Sequence, residues 1–377
     1  MRAAFPHQKR EQPMPNRREF ITTSAAVAAA PFIATSTTRA AAEKSRKKIG
    51  FAVCGLGGLS KNQILPAIAK TKNCKLTGLV TGTPAKRKEF GAQYNIPDHS
   101  IYSYEDMHRM ADNPDIDVVY VVTPNSLHAQ HTVAAAKAGK HVFSEKPMEV
   151  SVERCQEMID ACKKANRMLG VAYRCQFDPY HIECIRLARE QVFGAVKIID
   201  TSFCIDVGRP DQWRLKKSLS GGGALMDVGI YCLQATRYLS GEEPVQVSAM
   251  ETKTDPVKFA EVDESMVWTT RFPSGVVAHS STSFKVGQVQ NMRANAERGW
   301  FELDPAFFYG GNKGRRSDGQ AISFPEMDRF AAEMDDFAEC ILENKPSRVA
   351  GEEGLRDVRI LKAIYESART GKPVSLS

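Results

Sequence analysis

At 377 residues, 42% hydrophobic and 25% charged, the chain has the length for two domains and the composition of an ordinary soluble globular protein. Its formal charge of +7 is concentrated at the start: within residues 1–40 six basic side chains face two acidic ones, a surplus of +4, so the remainder carries only +3. That excludes the electrostatic footprint of a nucleic-acid binder.

The first segment reads as a leader. Arg17 and Arg18 precede an apolar, alanine-rich run at 25–34 and a small-residue segment at 38–42. Paired arginines, a mild apolar stretch and an Ala-x-Ala-like end have the form of a twin-arginine signal over residues 1–42, read by the twin-arginine export machinery and cleaved in the periplasm. The apolar run is too short to span a bilayer as a permanent helix. A disordered basic tail is the alternative, and Met14 offers a second start. Nine cysteines, an odd number with no Cys-x-x-Cys pair and no zinc-like spacing, are expected to be free buried thiols, with no metal site. Folding in the reducing cytoplasm before export is compatible with that state.

Residues 48–54 read as a buried strand, followed by a helix from Lys61 that packs back onto it. A second strand at 75–80, a lysine-rich helix from Pro84, an apolar strand at 117–122, a helix at 129–138 and a strand at 140–144 follow. This alternation predicts an α/β fold: a doubly wound, Rossmann dinucleotide-binding domain over 43–170. From 171 to 377 the pattern changes, with period-two alternation at 197–203, 245–249, 265–272 and 276–282, a hairpin signal at 273–275, and closing helices at 328–343 and 352–370. An α+β domain with a large, mostly antiparallel, open sheet is expected there, one face solvated or covered by a partner.

Open parallel sheets bind ligands beyond the carboxyl ends of their strands. After the first strand stand Gly55, Leu56, Gly57, Gly58 and Leu59, a glycine turn suited to a pyrophosphate at a helix N-terminus, although Ser60 replaces the third glycine of the dinucleotide pattern. A tight structural turn is the other reading. After the second strand Thr81 and Gly82 lead to Lys86 and Arg87, with no carboxylate for a ribose diol and two cations for a 2′-phosphate, which points to NADP; a solvated helix start is the alternative. Thr123, Pro124, Asn125, Leu127 and His128 end the third long strand, putting an amide and an imidazole over the expected nicotinamide ribose, or a structural histidine there. Glu145-Lys146-Pro147 ends the fourth, and a cis Lys146-Pro147 bond would aim the lysine inward; a surface turn competes. In the second half Asp227 and Tyr231, four apart, share a helical face. If that face meets Lys146, the ammonium lowers the phenol pKa and the pair can move a proton at neutral pH; a packed core tyrosine is the alternative.

The glycine turn with the string 62–66, the run Pro124 to His128, the stretch 138–142 with Glu145 to Pro147, Tyr173-Arg174, Gln212 to Arg214, and the runs 221–231 and 351–373 together resemble the Gfo/Idh/MocA oxidoreductase family, and within it the exported sugar oxidoreductases. The resemblance covers nearly the whole exported chain. It implies tightly bound, non-exchanging NADP, Lys146 and Tyr231 at a small-molecule sugar, and Arg174, Trp213 and Arg214 closing over the cofactor. It also places Tyr102 and Tyr309 at the cofactor's border, with Asp227 binding a sugar hydroxyl and orienting the tyrosine. Tyrosine at 231, where many relatives carry histidine, matches the sugar-oxidoreductase branch. A long proline-rich arm found in that branch is absent, since only residues 41–48 separate the expected cleavage site from the first strand; this favours a homodimer through the open sheet.

An exported dehydrogenase finds no pool of free NADP, so a bound cofactor has to be reoxidised in place. The expected cycle is ping-pong: an aldose such as glucose is oxidised to its aldonolactone with Tyr231 and Lys146 handling the proton, and a second sugar, an aldose or fructose, is reduced to an alditol. Two other readings compete. An NAD-dependent glycosidase of the same family would favour an acidic ribose ligand, which 81–86 lacks, and a non-catalytic sugar-binding protein would not need Lys146, Asp227 and Tyr231 together.

Overall fold

The computed structural model describes residues 47–376, so the leader and the export and cleavage expectations attached to it lie outside the described residues. Strand β1 (Ile49–Cys54) is buried along its whole length and pairs in parallel with β2 (Cys74–Val80) on one side and β4 (Val118–Val121) on the other. With β3 (Ile101–Tyr102), β5 (His141–Ser144) and β6 (Leu169–Val171) the order is β3-β2-β1-β4-β5-β6, all parallel. The apolar runs of β1 and β4 suit strands covered on both faces. This is the doubly wound order, and its winding reverses between β1 and β4, so the crevice beyond those two ends is the natural ligand site.

The helices begin where the sequence offers a start. Pro84 occupies the first turn of the helix Pro84–Tyr94, and Ser151 caps the helix Val152–Lys164 by accepting the Arg154 N–H. The helix after β1 departs from the ordinary form: a π-helical turn, Ser60–Ile64, runs into Leu65–Ile68.

The second sheet has nine strands in the order β14-β13-β12-β11-β7-β10-β9-β8-β15. Four were expected: β7 (Val196–Asp206), β8 (Gln246–Thr252), β9 (Ser265–Arg271) and β10 (Val277–Ser283). The additions are β11 (Lys285–Ala296), β12 (Gly299–Leu303), β13 (Gly314–Arg316), β14 (Ala321–Ile322) and β15 (Val374–Ser375). In β11 the first five residues are exposed and alternating burial starts only at Gln290, so the period-two signal is missing from half the strand. Pairing is antiparallel except between β7 and β10. The helix Arg329–Glu343 crosses back to the first sheet: Phe337 stacks on Phe143 of β5 at 4.9 Å, and Asp335 accepts the backbone N–H groups of Lys72 and Asn73. All nine cysteines are buried and free, as expected.

Candidate active site

A cavity of about 720 Å³ lies beyond the carboxyl ends of β1, β4 and β5 and reaches across to the second sheet. At its floor Gly55 has φ +98°, the left-handed region that favours glycine, and an added Cβ there would meet the Val122 carbonyl oxygen at 2.8 Å. Ser60, the residue in place of a third glycine, donates its hydroxyl to the Gly55 carbonyl and so closes the turn. A Cβ on Gly57 or Gly58 would meet nothing within 4 Å, so these two face open space on the cavity side.

At the second strand's end Thr81, Thr83 and Lys86 border the cavity, and Lys86 Nζ donates to the Leu56 carbonyl at 2.8 Å. Four expected residues do not border it. Arg87 turns away to donate to the Asp98 carbonyl at 3.1 Å. Tyr102 is buried in β3, where its hydroxyl accepts from Asn113 at 3.0 Å and so is held in the core away from the cavity. Gly82 and Leu127 contribute no lining surface. The wall near Gly82 is Tyr104 instead, whose ring stacks on His131 at 4.8 Å. Tyr104 was missed because it follows the two-residue strand in a loop, where no periodicity marks its direction.

His128 touches the cavity, but its imidazole serves the fold. Its Nε2 lies 2.8 Å from the Thr123 carbonyl and its Nδ1 3.0 Å from that of Pro147, so the ring ties the end of β4 to the loop after β5. Burial pushes its pKa down. Asn125 likewise donates to the Ser220 carbonyl at 2.9 Å.

The Lys146-Pro147 bond is cis, and Lys146 points inward with its side chain 13% exposed. Its ammonium donates to the Asp227 carbonyl at 2.7 Å and approaches Asp227 Oδ1 at 3.4 Å, while Arg214 Nε donates to Oδ2 at 2.8 Å. Burial works to raise the Asp227 pKa, but Arg214 and Lys146 outweigh it and hold the carboxyl at about 2. Asp227 therefore orients two cations, and its hydrogen bonds go to them rather than to the tyrosine hydroxyl. The Tyr231 ring sits 4.9 Å from Lys146 Nζ and 4.8 Å from the Arg174 guanidinium, and packs edge-on against Phe203. The expected lowering of the phenol pKa is not found: burial pushes it up, and the Arg174 charge offsets only part of that. Arg174 donates to the carbonyls of Phe307 and Phe308 at 2.5 and 3.1 Å, with the exposed Tyr309 ring on its flank at 4.9 Å. Trp213 borders the cavity, and Arg214 stacks on its ring at 4.7 Å. Among the described residues no cluster of His, Cys, Asp or Glu could hold a metal, and no helix is long and apolar enough to cross a membrane.

Three family models divide the chain. Residues 49–173 match an oxidoreductase-family NAD-binding Rossmann fold, 181–302 a GFO/IDH/MocA C-terminal domain, and 316–376 an oxidoreductase-family C-terminal alpha/beta domain. The chain belongs to the Gfo/Idh/MocA oxidoreductase family. Its relatives include a D-xylose 1-dehydrogenase [NADP(+)] of Haloarcula marismortui, 31% identical over 87% of this chain and 93% of that one. Among solved structures, the aldose-aldose oxidoreductase from Caulobacter crescentus complexed with glycerol is 44% identical, with a TM-score of 0.85, covering 88% of this chain and all of that one. A levoglucosan dehydrogenase, at 22% identity and a TM-score of 0.78, shares the fold over 88% of this chain and 99% of that one. This member of the Gfo/Idh/MocA family is thus a sugar oxidoreductase, and its crevice fits a nicotinamide dinucleotide. The open side of Gly57 and Gly58 leaves room for backbone approach to phosphates, and no carboxylate lies among Thr81, Thr83 and Lys86 to repel a 2′-phosphate.

Proposed function

We propose that the protein is an aldose oxidoreductase that holds NADP tightly and uses it twice per cycle, oxidising one aldose to its aldonolactone and reducing a second sugar to an alditol. The observation that carries this reading is the convergence of Lys146, Asp227 and Tyr231 on one cavity with a dinucleotide turn at its floor. Once bound, the cofactor supplies a hydride acceptor and, when reduced, a hydride donor. The chain's own residues manage the proton. Tyr231 keeps its proton at rest, since burial holds the phenol up. In the reducing direction this phenol gives its proton to the sugar oxygen as hydride arrives. In the oxidising direction it must first release that proton to solvent, and the phenolate, stabilised by Lys146 and Arg174 on either side, then takes the sugar hydroxyl's proton as hydride leaves. Asp227 stays ionised and pins Lys146 and Arg214 in place.

Two further readings belong to this proposal. The paired arginines of the leader direct the folded, loaded enzyme to the periplasm, where cofactor recycling in place is a necessity. The open face of the nine-stranded sheet carries Ile198 beside Val277 and Met250 beside Val267, all exposed and on one side by strand register, a patch that a second copy would cover. The decisive experiment uses protein purified without added cofactor. Addition of glucose should produce reduced-nicotinamide fluorescence on the protein, and a second sugar should erase it. Release of free NAD, or hydrolysis of a glycoside, would defeat the proposal. Light scattering on the same preparation should report a dimer.

A further inference from the structure

A buried trio lies behind Lys146. Tyr120 of β4 places its hydroxyl 2.9 Å from Glu145 Oε1 and 3.1 Å from Oε1 of Glu333, which comes from the helix Arg329–Glu343. Tyr120 and Glu333 are 0% exposed and Glu145 6%. A phenol has one proton to give, and two carboxyl oxygens compete for it. With both acids ionised, one contact would set lone pair against lone pair and two negative charges would share a dry site. One carboxyl must therefore hold a proton and donate it to the phenol oxygen, while the phenol donates to the other.

The surroundings decide which. Glu145 also accepts the Lys146 backbone N–H through Oε2, at 3.2 Å, and it borders the cavity into which Lys146 projects. Glu333 Oε2 is buried without a partner. Negative charge settles on the carboxyl with more donors. Burial raises both acids, and Glu333, which also faces Glu145 and the thiol of Cys175, goes well above the usual carboxylate range; Arg174 is the cation acting on both.

We infer that Glu333 is a positioning residue: as a neutral acid it donates to Tyr120, Tyr120 donates to Glu145, and the single negative charge of the trio is fixed on Glu145 at the cavity edge. A fixed anion there favours the oxidised, cationic nicotinamide over the reduced, neutral ring and lowers the midpoint potential of bound nucleotide. That consequence rests on the cavity taking a nicotinamide dinucleotide; the proton assignment does not.

Infrared spectra of the full chain at neutral pH test the assignment without nucleotide. The difference between wild type and Glu333→Gln should contain the C=O band of one protonated carboxyl, and a difference holding only ionised-carboxylate bands would overturn the inference. In loaded protein equilibrated with redox dyes, Glu145→Gln should raise the midpoint potential by about 30 mV, a tenfold change in the oxidised-to-reduced affinity ratio, while Glu333→Gln, which swaps one neutral donor for another, changes that ratio by less than about twofold. A larger shift in Glu333→Gln than in Glu145→Gln would place the charge on Glu333, and equal shifts would mean that it is not fixed on Glu145; either result defeats the assignment. Protein that takes up no nucleotide would defeat the cofactor reading alone, with the infrared result still judging Glu333.

Discussion

Lys146→Met and Tyr231→Phe should each lower the turnover number by about 10³-fold while leaving bound nucleotide in place, the size of effect expected for losing one partner in acid–base catalysis. The two changes remove different things. Tyr231→Phe deletes only the hydroxyl, and the ring keeps its edge-on contact with Phe203 and its place under Arg174, so the local packing survives. Lys146→Met removes the ammonium 4.9 Å from that ring but leaves Asp227 bonded to Arg214 at 2.8 Å, so the buried carboxylate is not stranded. Single-turnover formation of reduced nicotinamide after adding an aldose reads the chemical step separately from release. Lys146→Arg, which restores a cation of different shape, should recover only part of the rate. A variant that emptied the protein of nucleotide instead would reassign that residue from proton transfer to cofactor retention.

How far the sequence reached depended on whether a residue's direction is set by local periodicity or by distant contacts. The parallel sheet was legible because β1 and β4 are unbroken apolar runs bounded by turn signals, and the strand ends then named Gly55, Thr81, Thr123 and Glu145 as cavity residues. The cis bond before Pro147 and the approach of Lys146 to Asp227 followed from the same placement. Arg87 and Tyr102 stay off the cavity for different reasons: one is a cation captured by the Asp98 carbonyl, the other an aromatic held in the core by a hydrogen bond from Asn113. His128 looked like a site residue because its position is right, but the carbonyls that claim its two nitrogens belong to segments up to 20 positions away. The Tyr231 ionisation was misjudged in sign, since spacing shows a nearby cation but not the depth of burial that outweighs it. Glu333 carried no signal at all, because its partners Tyr120 and Glu145 are reached only when the helix Arg329–Glu343 folds back over the first sheet.

Gly55→Ala and Gly57→Ala should separate folding from cofactor binding, although the two glycines are two residues apart. At Gly55 the backbone has φ +98°, and the new methyl would lie 2.8 Å from the Val122 carbonyl oxygen and 2.9 Å from a Thr123 side-chain carbon. Neither neighbour can yield cheaply, since Val122 donates its backbone N–H to the Cys54 carbonyl and Thr123 is held by His131. Left-handed strain and overpacking add, and a loss of about 3 kcal/mol is expected, read as a lower midpoint in urea unfolding. At Gly57 the methyl meets nothing within 4 Å, so the apo protein should unfold with its midpoint unchanged. The same methyl stands in the space through which the backbone approaches a pyrophosphate. Its expected effect is a loss of nucleotide affinity of about ten- to a hundredfold, the equivalent of the 1–3 kcal/mol typical of one intruding group. Should Gly57→Ala bind nucleotide as tightly as wild type, the dinucleotide would have to lie elsewhere in the crevice, and the turn at Gly55 would be a structural corner and nothing more.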